Sequence, residues 1–312
     1  MQAMRRGFLE CWATLFALLV LLTALAAWAL ASAPAWAQAE PPSQKWAHET
    51  SDIAPDPAVR FGALPNGLRY ALLKNQLPPG AVSIRMSVDF GSLEEAENEQ
   101  GLAHFIEHMA FNGSKNVPEG EMVRILERLG LAFGADTNAS TGQDFTTYQL
   151  ELPNASDALV DESLFLLREL ASELTFNAEA IDRERGVVLS EYRRGDNFQR
   201  RRNDQQLEFL IPGAYAASRM PIGDPAVLET ATRETMVSLY QRYYRPERTA
   251  LILVGDFDVD AVETKIIAKF ADWVGKGQAG ATRTCPTRSR RGPRKHPSSF
   301  TRTAAIRSAS IR

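Results

Sequence analysis

From about residue 60 onward, the spacing of apolar side chains switches repeatedly between two periods, and each switch predicts an element. VSIRMSV, residues 82–88, alternates apolar and polar positions and predicts a half-buried strand. Residues 64–73 carry Asn66-Gly67 between two apolar stretches, a hairpin signal. FTTYQLEL, 145–152, is rich in β-formers, and TALILVG, 249–255, is continuously apolar, as expected of a strand central in a sheet. Elsewhere the period is helical. Met122, Ile125, Leu126 and Leu129 predict a helix over 118–129 that Gly130 ends. Leu159, Leu166, Leu167, Leu170 and Leu174 mark a second over 157–174. Asn177 is placed to cap a long third helix through Ile181, Val188, Leu189 and Tyr192. Two more are expected over 225–244 and 259–273. Residues 91–98 read as an acidic loop and 211–224 as irregular. An early hairpin followed by mixed strands and helices predicts an α+β fold, a mostly antiparallel sheet packed by helices.

Both ends depart from this pattern. Arg5 and Arg6 precede an apolar run over 12–33, and Ala35-Trp36-Ala37 and Ala37-Gln38-Ala39 are small-residue cleavage sites. That layout makes residues 1–39 a secretory signal, with an uncleaved anchor as the alternative; export is expected either way, with no stable membrane insertion once cleaved. Residues 40–59 form a Pro-rich, polar linker and 60–281 the folded domain. Residues 282–312 hold nine Lys or Arg, no Asp or Glu and no apolar periodicity, so they are expected to be a disordered or frameshifted tail rather than a basic binding arm. Between the two ends, 24 basic and 37 acidic side chains leave a net charge of about −13, which argues against a nucleic-acid partner. Cys11 falls in the signal and Cys285 in the tail, so a cleaved chain cannot form an internal disulfide.

The chemistry concentrates in GLAHFIEHMAFNG, residues 101–113, a helix-forming run with two of the chain's four histidines. Positions i, i+3 and i+4 of a helix share a face, so His104 and His108 project side by side with Glu107 between them in angle. Two imidazoles one turn apart can chelate a divalent ion. The carboxylate beside them is suited to serve as the base toward water that the ion activates. Zinc fits, given a third protein ligand and an open position. Candidates for that ligand are Glu184 and Glu191, which sit two turns, about 10 Å, apart on one helix face; one ion cannot take both, and chemistry alone does not choose between them.

H-x-x-E-H is an inverted zinc-protease signature. Together with NAST at 138–141 and ERGVVLSE at 184–191, the run resembles the pitrilysin/insulinase family of zinc peptidases, which includes the mitochondrial processing peptidase and periplasmic bacterial members. The resemblance covers about 60–273 and implies one domain of that family's fold, one Zn2+ per chain and peptide hydrolysis. By position it implies His104, His108 and Glu191 as zinc ligands, Glu107 as catalytic base, and Glu184 as an acidic neighbour of the ligands. The 83 residues from His108 to Glu191 exceed the family's usual interval, which would fall on Glu184; the excess fits extra residues in 130–137 and the segment that follows. Asn138 and Ala139 match an edge strand that pairs with extended substrate, a simple turn being the alternative. Family enzymes enclose substrate, a peptide or small unfolded polypeptide, between this catalytic half and a second half. The sequence holds one such domain, so it is expected to be a truncated copy or a half-enzyme. The rival expectation is a non-catalytic peptide-binding or partner subunit. The implied location is the periplasm.

Overall fold

The computed structural model describes residues 45–132 and 134–281; the signal and tail assignments lie outside the described residues. Among these residues six strands form one sheet: β1 (Val59–Ala63), β2 (Arg69–Lys74), β3 (Val82–Val88), β4 (Thr137–Thr141), β5 (Thr146–Leu152) and β6 (Thr249–Gly255). Their order is β1-β2-β6-β3-β5-β4. β2 and β6 run parallel, and every other neighbouring pair is antiparallel. Among the described residues eight α-helices accompany the sheet: α1 (Leu102–Met109), α2 (Glu121–Arg128), α3 (Asp157–Ser172), α4 (Ala178–Gly195), α5 (Phe198–Leu210), α6 (Pro225–Thr230), α7 (Arg233–Tyr243) and α8 (Val259–Phe270). The fold is α+β.

Alternation explains why the helices lie where they do. Val82, Ile84, Met86 and Val88 of β3 and Tyr148, Leu150 and Leu152 of β5 are buried in one cluster with helix residues such as Phe105, Ile106, Leu166 and Ile266. The intervening Ser83, Arg85, Ser87, Thr147, Gln149 and Glu151 are half-buried, and Arg85 pairs with Glu151 at 2.5 Å. One face therefore makes the core and the other stays polar, as antiparallel sheets allow. β6 lies between β2 and β3, and its Leu251 and Leu253 are fully buried, consistent with its unbroken apolar pattern. Asn177 caps α4, its Oδ1 accepting from the backbone N–H groups of Glu179 and Ala180 at 2.9 and 3.3 Å.

Three features differ from the sequence expectations. The single helix expected over 225–244 is two, because Ala231 is extended and the Thr232 side chain accepts from Thr235 N–H, starting α7 afresh. α5 was not expected, and none of its residues is buried, so it leaves no apolar stripe to read. Regular structure also begins before residue 60. A 3-10 turn at Ala47–Thr50 follows Trp46, whose ring packs edge-on against Phe61 at 5.0 Å and whose indole N–H donates to the carbonyl of Gly62. Among the described residues no helix is long and apolar enough to cross a membrane.

Candidate active site

α1 owes its position to a buried start and an apolar underside. Gly101 precedes it at φ 93°, and a Cβ there would lie 2.9 Å from the Cα of Gly223, so the left-handed turn and the close approach both call for glycine. The first-turn N–H groups of a helix need acceptors. Glu95 supplies them: its two carboxylate oxygens accept from Gly101 N–H at 2.9 Å and Ala103 N–H at 2.7 Å. Burial pushes the Glu95 carboxyl up to about 8 even though both N–H bonds pull the other way. Leu102, Phe105, Ile106 and Met109 then bury one side of the helix and leave His104, Glu107 and His108 lining a cavity of about 630 Å³.

Three donor atoms converge in that cavity. The Nε2 atoms of His104 and His108 are 3.2 Å apart, and Glu191 Oε2 from α4 lies 3.7 Å from the first and 3.4 Å from the second. Metal–ligand bonds of about 2.0–2.2 Å put the donors of a tetrahedral zinc site roughly 3.3–3.6 Å apart, so the triangle fits one such ion. Glu184, two turns earlier on α4, takes a different atom: the Nδ1–H of His108 donates to its Oε2 at 3.1 Å. That bond selects the tautomer whose Nε2 lone pair faces the other two donors. It also holds the Glu184 carboxyl below its usual range. Burial, reinforced by His108, lowers His104 to about 4, so at neutral pH its ring offers a lone pair. Burial pulls His108 down as well, but the hydrogen bond to Glu184 and the charges of Glu107, Glu184 and Glu191 outweigh it and leave His108 raised.

Glu107 is buried beside this triangle. Burial raises its carboxyl, against the hydrogen bond from Thr141 and the field of His108. Thr141 Oγ1 donates to Glu107 Oε2 at 2.6 Å, an interaction that spacing along the chain does not announce. Asn138 and Ala139 lie on β4, one of the two edge strands of the sheet, and line the same cavity. They occupy a strand, not a turn. A five-residue run of Thr, Asn, Ala and Ser carries no apolar alternation, and the strand exists because it pairs with β5. Pro221 and Ile222 also line the cavity.

Residues 70–211 match the insulinase (peptidase family M16) profile, and residues 230–308 match the peptidase M16 inactive domain. The probable zinc protease PqqL of Haemophilus influenzae is 36% identical over 207 residues, which is 66% of this chain and 22% of that protein. Its Escherichia coli counterpart is 34% identical over 237 residues, 75% of this chain and 25% of that protein. The crystal structure of the first half of the periplasmic protease PqqL from Escherichia coli superposes with a TM-score of 0.72 at 33% identity, covering 75% of this chain and 50% of that one. The chain thus spans about a quarter of the curated relatives it matches. With the inverted histidine motif on a helix, the sheet order that carries it and these matches in agreement, the chain belongs to the insulinase family of peptidases, family M16.

Proposed function

We propose that the domain is the catalytic half of an exported, periplasmic zinc endopeptidase that hydrolyses peptides or small unfolded polypeptides. The observation that carries this reading is the triangle of His104 Nε2, His108 Nε2 and Glu191 Oε2 with the Glu107 carboxylate beside it in one cleft. These three residues would hold one zinc ion per chain. When bound, zinc supplies Lewis acidity that polarises a peptide carbonyl and lets water ionise near neutral pH. The remaining work falls to side chains. Glu107 takes the proton of the attacking water and returns it to the leaving amine nitrogen; its buried, raised carboxyl suits both transfers. Glu184 keeps the His108 ring in register through Nδ1–H. The open edge of β4, with Asn138 and Ala139, receives the substrate as an added strand. Relatives described as probable zinc proteases, and one as a periplasmic protease, support the reading.

The test separates metal from chemistry. Purified protein should carry one zinc per chain, and Glu107→Gln should carry the same zinc while hydrolysis of an internally quenched peptide falls by at least about 10³-fold. Wild-type turnover by Glu107→Gln would remove Glu107 as the base, and a protein that takes up no zinc would end the reading altogether.

One alternative is a non-catalytic peptide-binding or partner subunit. Assay of the chain alone and mixed with a separately produced second half of the PqqL type divides the two. Hydrolysis in the mixture alone identifies a half-enzyme. Peptide binding without hydrolysis in either identifies the binding subunit.

A further inference from the structure

Thr141 ends the strand on which the substrate is proposed to dock, and its side chain touches the proposed base. Asp136 C=O accepts from Glu151 N–H at 2.7 Å, and Gly142 N–H donates to Phe145 C=O at 2.7 Å, both in the register that pairs β4 with β5. Antiparallel ladders alternate bonded and outward-facing residues. The even-numbered residues of β4 therefore face β5, and the backbone groups of Ala139 and Thr141 face the open edge. From that same residue, Oγ1 donates to Glu107 Oε2 at 2.6 Å, a charge-assisted bond.

The turn after Thr141 is held from two sides. On one, Ser92 N–H and Leu93 N–H donate to the carbonyls of Gly142 and Gln143 at 3.3 and 2.8 Å. On the other, the Gln143 amide donates to the carbonyls of Ala216 and Arg219 at 2.7 and 3.0 Å. A Cβ on Gly91 would lie 2.5 Å from the Gly142 carbonyl, so the packing leaves the turn no slack. A hydroxyl on a clamped backbone fixes a carboxylate more tightly than one on a free loop does.

We propose that Thr141 is a positioning residue that ties the base Glu107 to the peptide-docking edge, so that a strand added at β4 and the proton acceptor share one anchor. The proposal rests on the peptidase reading above. Valine keeps the shape of threonine and removes the donor; serine keeps the donor. The experiment uses the full zinc-loaded chain and compares wild type, Thr141→Val, Thr141→Ser, Glu107→Gln and the Thr141→Val/Glu107→Gln double variant. Three quantities are read: zinc affinity against a chelating dye, affinity for a peptidyl hydroxamate, whose acidic N–OH engages the base, and kinetics on a quenched peptide.

Thr141→Val should bind zinc as wild type does, lose about tenfold in hydroxamate affinity, and lose about 10- to 100-fold in kcat with KM within about twofold. Thr141→Ser should recover to within about threefold. In the Glu107→Gln background, Thr141→Val should add nothing, because the base that Thr141 positions is already gone. Unchanged hydroxamate affinity in Thr141→Val, a joint loss of zinc binding, or a full effect persisting without Glu107 would each overturn the proposal while leaving the peptidase reading intact. The hydroxamate cycle decides the matter even where the chain alone does not turn over. A wild type that takes up zinc yet neither binds the hydroxamate nor hydrolyses peptide brings down the peptidase reading, and this proposal with it.

Discussion

At the scale of single residues, the division of labour between Glu184 and Glu191 turns on which imidazole nitrogen each one meets. Glu191 Oε2 lies within 3.4 and 3.7 Å of the two Nε2 atoms, whereas Glu184 Oε2 is 3.1 Å from His108 Nδ1. Helical spacing puts both carboxylates on one face of α4 and stops there; the choice depends on where α4 lies against α1 across the intervening chain. Glu184→Ala should leave the three donors in place but free the His108 ring to rotate. Zinc affinity should then fall about 10- to 100-fold in competition with a chelating dye, the usual cost of losing such a ring-orienting partner. Undiminished affinity would show that packing alone orients the ring.

At the scale of elements, α1 begins on a carboxyl that the sequence presents as part of a polar loop. Glu94, Glu95 and Glu99 are all buried. Glu94 accepts from Gly91 N–H at 3.1 Å, and Glu99 accepts from Ala96 N–H at 2.9 Å and pairs with Arg242. An acidic run reads as solvated because charge is costly to bury. Here helix and turn N–H groups offset part of that cost, and only the packed chain supplies them. Burial raises Glu95 to about 8 from an ordinary carboxyl value of 4.5. A carboxyl raised in the folded state contributes stability that is full below its unfolded pKa and is lost as pH rises through the folded one. Between pH 6 and pH 9 the wild type should therefore lose on the order of 2–3 kcal/mol that Glu95→Gln does not, read as the difference between their urea unfolding free energies. Parallel pH profiles for the two proteins would show that Glu95 is ionised throughout. The split between α6 and α7 belongs to the same scale: the apolar period runs across Ala231-Thr232, but Thr232 satisfies Thr235 N–H and so restarts the helix.

At the scale of the whole molecule, the sheet holds the site together from strands far apart in sequence. β6 pairs with β2 on one side and β3 on the other, and Leu251 is fully buried between the sheet and its helices. Leu251→Ala should cost about 2–5 kcal/mol, seen as a lower urea midpoint with an unchanged slope, while zinc stoichiometry below the transition stays at one. A loss of zinc under native conditions would mean that the core and the site are coupled more closely than the packing indicates.

The strands at 82–88 and 249–255, the cap at Asn177 and the side-by-side placement of His104 and His108 were legible in the chain, because each follows from a period or from an interaction within a few residues. So was the insulinase likeness, carried by motifs that are contiguous in the chain. Contacts between segments with no local signature came from the packed fold. β4 is a strand because β5 lies beside it, α5 is a helix without a buried stripe, and the acidic loop is buried because α1 needs acceptors. Glu191 reaches the histidines, and Thr141 reaches Glu107, 34 residues away, because the sheet and α4 bring them there. Local pattern reports what a residue does with its neighbours along the chain, whereas a cleft is assembled from residues that meet only once the core has closed.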